Sequence, residues 1–128
     1  MEAPKILIVD DERDLVETCA RFLKLAKYDC LQAFDKSEAI LKIDEFNPHL
    51  VLTDLHLPDG TGLEVIRYAR SRNPGLPAIM ITAYHSPDAV KAASEAGVNA
   101  YLSKPFAMSE LSKAIERTID RICLSGPL

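Results

Sequence analysis

The sequence predicts an α/β fold in which a parallel five-stranded sheet is covered by helices on both faces. Five short apolar runs alternate with five longer stretches of helical periodicity. Runs such as Ile6–Val9 and Ala78–Ile81 lack the polar alternation of a half-solvated sheet, as expected of strands buried on both sides. Polar residues then gather where the runs end. At 128 residues, 48% apolar and 27% charged, the chain has the size and balance of one packed domain.

The elements follow in order. KILIV (5–9) is a strand, and DLVETCARFLKLAK (14–27) sets Leu15, Cys19, Phe22, Leu23 and Ala26 on one helical face. DCLQAF (29–34) is a weaker, half-buried strand. SEAILKIDEF (37–46) is a helix with Ala39, Ile40, Ile43 and Phe46 inward, stopped by Pro48. HLVLTD (49–54) is a third strand ending, like the first, in an acid, and LPDGTG supplies turn residues. LEVIRYARSR (63–72) is a helix that ends before NPGLP, and AIMIT (78–82) is the fourth strand. SPDAVKAASEAG is a compact helix: Ser86 can cap it, Pro87 suits its first turn and Gly97 ends it. AYLS (100–103) is the fifth strand. The last helix, Met108 to Cys123, buries Leu111, Ile115, Ile119 and Ile122.

Parallel strands place their carboxyl ends along one rim, where ligands of such sheets bind. Here that rim carries Asp10 and Asp11 after strand one, Asp54 after strand three, Thr82 after strand four and Lys104 after strand five. Clustered carboxylates repel one another unless a cation lies among them, and an all-oxygen set suits Mg2+, with Mn2+ as a substitute. An ammonium and a hydroxyl beside that cation can stabilise a phosphoryl group in transfer, and a carboxylate can itself be the nucleophile. Taken singly, Asp11 reads as a helix cap, Thr82 as a strand end and Lys104 as a surface lysine. Four strand ends converging together favour a site.

Composition excludes several classes. A net charge of −4 does not suit a domain that grips nucleic acid by itself. No apolar run approaches the ~20 residues of a membrane span, and MEAPK has neither the basic nor the apolar region of a secretory leader. Cys19, Cys30 and Cys123 are odd in number and widely spaced, as expected of reduced thiols in a cytoplasmic protein.

The segments ILIVDDERD, LVLTDLHLPDGTG, MITAY and AYLSKPF match the receiver domain of two-component response regulators in identity, order and spacing, and the resemblance covers nearly the whole chain. It implies a flavodoxin-like (βα)5 fold with strand order 2-1-3-4-5. It also implies a phosphorylation-dependent switch rather than a conventional enzyme. By this resemblance Asp54 is the phosphoacceptor for a histidine kinase or histidine phosphotransfer protein. Asp10, Asp11, Asp54 and the backbone carbonyl of His56 hold Mg2+. Thr82 and Lys104 contact the phosphoryl group, and Ala83 leaves access to it. Tyr101 is the aromatic that turns inward with Thr82, and His56 and Tyr84 govern the phosphorylated lifetime. Lys104-Pro105 matches the family's cis peptide, the bond type in which cis is cheap.

The resemblance further implies that the face of helix four, strand five and helix five controls an output domain or partner protein, and it admits a homodimer formed on phosphorylation. In the winged-helix branch of the family an acid precedes the switch aromatic in a charged dimer network. Ala100 stands there, after Asn99, so that network is incomplete. Leu57 replaces a common Met, and Thr61 stands where an acid or Ser is frequent. Residues 1–124 are read as the receiver domain and 125–128 as a tail or the start of a linker. The competing reading is a degenerate receiver that binds proteins without phosphorylation, but such a domain normally lacks an acid, the acceptor or the lysine. A flavin binder would need a glycine-rich phosphate loop where Asp10, Asp11 and Glu12 stand. A phosphoaspartate hydrolase would need a DxD spacing that VDDERD lacks.

Overall fold

The computed structural model describes residues 3–83 and 86–124, with side chains as far as Ile119. Tyr84, His85 and the tail 125–128 lie outside the described residues, as do the side chains of Ile122 and Cys123. The expected alternation is present: β1 (Lys5–Val9), α1 (Arg13–Leu25), β2 (Asp29–Ala33), α2 (Lys36–Phe46), β3 (Leu50–Asp54), α3 (Gly62–Arg72), β4 (Ala78–Thr82), α4 (Pro87–Glu95), β5 (Ala100–Ser103) and α5 (Met108–Leu124). The five strands pair in parallel in the order β2-β1-β3-β4-β5. Between β3 and α3, the turn expected from LPDGTG also forms a small antiparallel ribbon of His56–Leu57 with Gly60–Thr61.

Strand alternation sorts the core into two layers. Ile6 and Ile8, Leu50 and Leu52, Ile79 and Ile81 all pack with Val16, Cys19 and Leu23 of α1 and with Leu111 and Ile115 of α5. On the other face, Leu7, Val9 and Val51 meet Ala39 and Ile43 of α2 and Val65 and Ala69 of α3. Further along that face, Ala78 and Met80 meet Ile66 of α3 and Ala89 of α4. The expected face of α1 needs correcting. Ala26 is exposed at the C-cap, whereas Val16 and Ala20 are buried, because α1 packs against both the sheet and α5. In α2, Ala39 and Ile43 are buried, while Ile40 and Phe46 are only half-buried.

The ends of α3 and α4 matter for the site. Thr61 caps α3 in a reciprocal box: its hydroxyl accepts from Glu64 N, and the Glu64 carboxylate accepts from Thr61 N. Thr61 thus offers the capping oxygen that an acid or Ser also offers. Ser86 caps α4 by accepting from Ala89 N at 3.0 Å, Pro87 occupies its first turn, and Gly97 follows its end at φ +70°. Arg70 of α3 then reaches across to this carboxyl end. Its guanidinium donates to the carbonyls of Leu76 (3.1 Å), Ala96 and Gly97 (2.9 Å), favourable for a cation at a helix C-terminus. Hydrogen bonds to charged groups contribute roughly 1.5–3 kcal/mol, so Arg70→Met is expected to speed amide exchange at Gly97 and Val98 by about tenfold or more. Unchanged exchange there would show that α4 does not depend on this contact.

Candidate functional site

Each site residue is set by its own strand end. Asp10 leaves β1 with its N–H donating to Ala33 O at 3.1 Å, and its Oδ1 accepts from Glu12 N at 3.0 Å, turning the chain into α1. The N-cap of α1 is Glu12, without a side-chain cap bond, so the capping role considered for Asp11 is not seen. Asp54 ends β3; the next residue, Leu55, donates to Ile81 O at 3.2 Å, and His56 N donates to Asp54 Oδ1 at 3.1 Å. Lys104 N donates to Thr82 O at 3.0 Å, and the Lys104-Pro105 peptide is cis.

These backbones bring three carboxylates around one ammonium. Lys104 Nζ lies 2.7 Å from Asp10 Oδ2, 2.8 Å from Asp54 Oδ2 and 2.9 Å from Glu12 Oε1. It makes hydrogen bonds to Asp54 and Glu12 and a close ion pair with the buried Oδ2 of Asp10. The environment acts in opposite senses on the two charges. Burial drives the Asp10 carboxyl up to about 6, against the pull of Lys104 and of the Glu12 N–H. For Lys104 burial opposes the charge, but Asp10, Asp54 and Glu12 outweigh it and hold the ammonium above its ordinary value. One cation among three anions is well compensated; a fully buried anion that shares that cation is not.

Oxygens of Asp10, Asp11 and Asp54 lie within 4.8 Å of one another, with Asp11 exposed. A hard divalent cation fits this donor set: all ligands are carboxylate oxygens, and the buried Asp10 Oδ2 is served by an ammonium it shares with Asp54 and Glu12, so it has capacity for the further positive partner such an ion would supply. Metal-free protein gives a test with a definite sign. The folded acid titrates near 6 and the unfolded acid near 3.8, so between those values the folded state binds more protons. Asp10's contribution is therefore most favourable below pH 3.8 and is lost as pH rises through 6. In EDTA, Asp10→Asn is expected to gain stability relative to the parent as pH rises from 4 to 7. Parallel melting profiles for the two proteins would contradict this.

Thr82 is fully buried and Ala83 beside it is exposed. Tyr101 is half-buried against the cluster that includes Met80, Ile66 and Ala89, and its hydroxyl is raised by burial and then by the Asp54 charge. By strand alternation Thr82, Met80 and Tyr101 share the α4 side of the sheet. His56 is exposed on the ribbon.

Three supporting contacts were not anticipated. Glu12 joins Lys104 across 92 positions of sequence, which no local pattern reveals. Gly62 N donates to Leu55 O at 2.8 Å, and a Cβ at Gly62 would land on the Asp54 carbonyl oxygen. Asp59 accepts from Lys36 N (2.7 Å), Ser37 N (3.0 Å) and Ser37 Oγ (2.8 Å), fastening the ribbon to the first turn of α2; these donors hold its carboxyl down at about 2. The turn residues of LPDGTG and the Thr61-x-x-Glu64 capping-box spacing are the sequence signals for this scaffold.

A family model described as the response regulator receiver domain matches residues 6–116. The chain is a member of the response regulator receiver domain family. This receiver domain is 39% identical over 117 residues to "Response regulator protein PilR" of Pseudomonas aeruginosa, covering 90% of this chain and 26% of that one. It is 31% identical over 123 residues to "Alkaline phosphatase synthesis transcriptional regulatory protein PhoP" of Bacillus subtilis, covering 96% and 51%. It thus spans about a quarter and about half of these relatives. A CheY-like receiver domain from Methanospirillum hungatei JF-1 superposes with TM-score 0.93 at 30% identity, covering 98% of this chain and all of that one. No described helix is long and apolar enough to cross a membrane.

Proposed function

We propose that this receiver domain is a phosphorylation-dependent switch in which Asp54 accepts a phosphoryl group from the phosphohistidine of a histidine kinase or phosphotransfer protein. The observation that carries this is the position of Lys104 between Asp10 and Asp54, two of the three clustered carboxylates that Asp11 completes. An Asp54 carboxylate oxygen attacks phosphorus as the phosphorus–nitrogen bond breaks and the imidazole leaves with that electron pair. Asp10, Asp11, Asp54 and the His56 carbonyl would hold Mg2+, which when bound neutralises charge on the phosphoryl oxygens. Lys104 supplies a second positive charge to those oxygens, Thr82 a hydroxyl, and exposed Ala83 leaves room for the donor. The domain assists its own phosphorylation and dephosphorylation without being a conventional enzyme, with His56 and Tyr84 setting the lifetime. Incubation with a small acyl phosphate and Mg2+ is expected to give a single phosphoryl adduct by intact mass. Labelling that proceeds fully in EDTA would overturn the reading.

The signal leaves through α4, β5 and α5, because Thr82 and Tyr101 share that side. Phosphorylation moves this face only by the difference between its contacts in the two states. A groove of about 360 Å³ between β5 and α5 there is lined by Tyr101, Glu110, Lys113 and Arg117, among others, and offers charged contacts to an output domain or partner protein. Asn99 accepts from Ala78 N through its side chain at 2.9 Å, so its amide serves the sheet rather than a charged dimer network. Lys104→Ala is expected to tighten Mg2+ binding, since a nearby cation is gone, while weakening the response to beryllofluoride. Amide exchange over 86–122 measures that response. Lost Mg2+ affinity with a full exchange response would contradict this role.

A further inference from the structure

Lys104 is held by partners of two kinds. Asp10 and Asp54 belong to the carboxylate cluster that fits a divalent cation, and Glu12 does not. A cation in that cluster would draw on the same two carboxylates, Asp10 and Asp54, and repel the ammonium that lies 2.7–2.8 Å from them. Only 11% of the Lys104 side chain is exposed, so an ammonium displaced without a partner would be poorly solvated. Glu12 is placed where it can supply that partner. Its backbone N–H is fixed to Asp10 Oδ1, whereas its side chain is 61% exposed and can follow the ammonium, to which it already makes a hydrogen bond.

We infer that Glu12 is a positioning residue: it retains Lys104 beside Asp54 while a divalent cation occupies the acidic cluster, and so lets cation and ammonium share the site. This rests on the phosphoacceptor reading above. Removing Glu12 would return the ammonium to Asp10 and Asp54, where it competes with the cation.

A double-mutant cycle on Mg2+ affinity tests this, with calorimetric titration at about 0.15 M salt, where distant charges are screened. Glu12→Gln is expected to raise the Mg2+ dissociation constant about fivefold in the parent, but no more than about 1.5-fold when Lys104 is already Met. A merely electrostatic loss of one anion would weaken binding equally in both backgrounds. A ratio of the two fold-changes of three or more supports the inference, and a smaller ratio overturns it. Should Lys104→Met not fold, Lys104→Gln replaces it. If neither folds, the 15N shift of Lys104 Nζ at saturating Mg2+ must change in Glu12→Gln, and an unchanged shift overturns the inference. A parent protein with neither Mg2+ binding nor a phosphoryl adduct overturns both readings. A parent with both, and a ratio below three, overturns the role of Glu12 alone.

Discussion

Asp54→Asn is expected to abolish phosphoryl labelling, by at least about a thousandfold, while leaving a folded protein. An amide oxygen is a poor nucleophile and would leave a charged imidate-like adduct, so the loss falls on chemistry rather than binding. Stability should change little. The substitution removes one of three mutually repelling carboxylates, and Lys104 retains Asp10 and Glu12 as ionic partners. The amide oxygen can still accept from His56 N, as Asp54 Oδ1 does at 3.1 Å. Intact mass after acyl phosphate treatment, with a melting curve on the same sample, separates the two effects. An adduct of parent yield on the Asn protein would place the acceptor elsewhere.

Gly62→Ala should produce the largest structural effect of any single methyl group near the site. Its Cβ would sit on the Asp54 carbonyl oxygen and 3.0 Å from Thr53 Cγ2, so α3 and the end of β3 must separate. Overpacking of this kind costs roughly 1–3 kcal/mol or more, a drop of about 5–10 °C in melting temperature for a domain of this size. Phosphorylation should slow as well, because the displaced backbone carries the acceptor. Gly60→Ala is the control. Its nearest obstacle, at 2.8 Å, is the Cδ of Lys36, a flexible side chain that can move aside. Equal stability of the two variants would show that the close approach of Gly62 to Asp54 is not needed.

β1, β3 and β4 were legible because both faces of the sheet are covered there: each became an apolar run bounded by turn residues, whereas the edge strand β2, with Asp29 exposed, shows the pattern only weakly. The rim was legible for the same reason, since parallel pairing alone aligns the residues that follow Val9, Thr53, Ile81 and Ser103. What escaped depends on shape or distance. Ribbon strands of two residues, such as His56–Leu57, are too short to show a period. The inward face of α1 is wider than its periodicity suggests, because a helix wedged between a sheet and α5 buries Val16 and Ala20 beyond a single stripe. The partnerships of Glu12 with Lys104 and of Arg70 with Ala96 and Gly97 join positions that no local pattern connects.

The Arg70 contact also gives α4 a mechanical character. The helix is pinned at its carboxyl end, while its other end, at Ser86 and Pro87, lies only a few positions along the chain from Thr82. A push delivered there acts on a lever whose fulcrum is the guanidinium. Nine residues span about 13 Å, so a pivot of roughly 10° would carry the amino-terminal end about 2 Å while the anchored end stayed in register. A sub-ångström shift at the strand rim would then be read out as a swing of the helix across the surface, not as a slide along it.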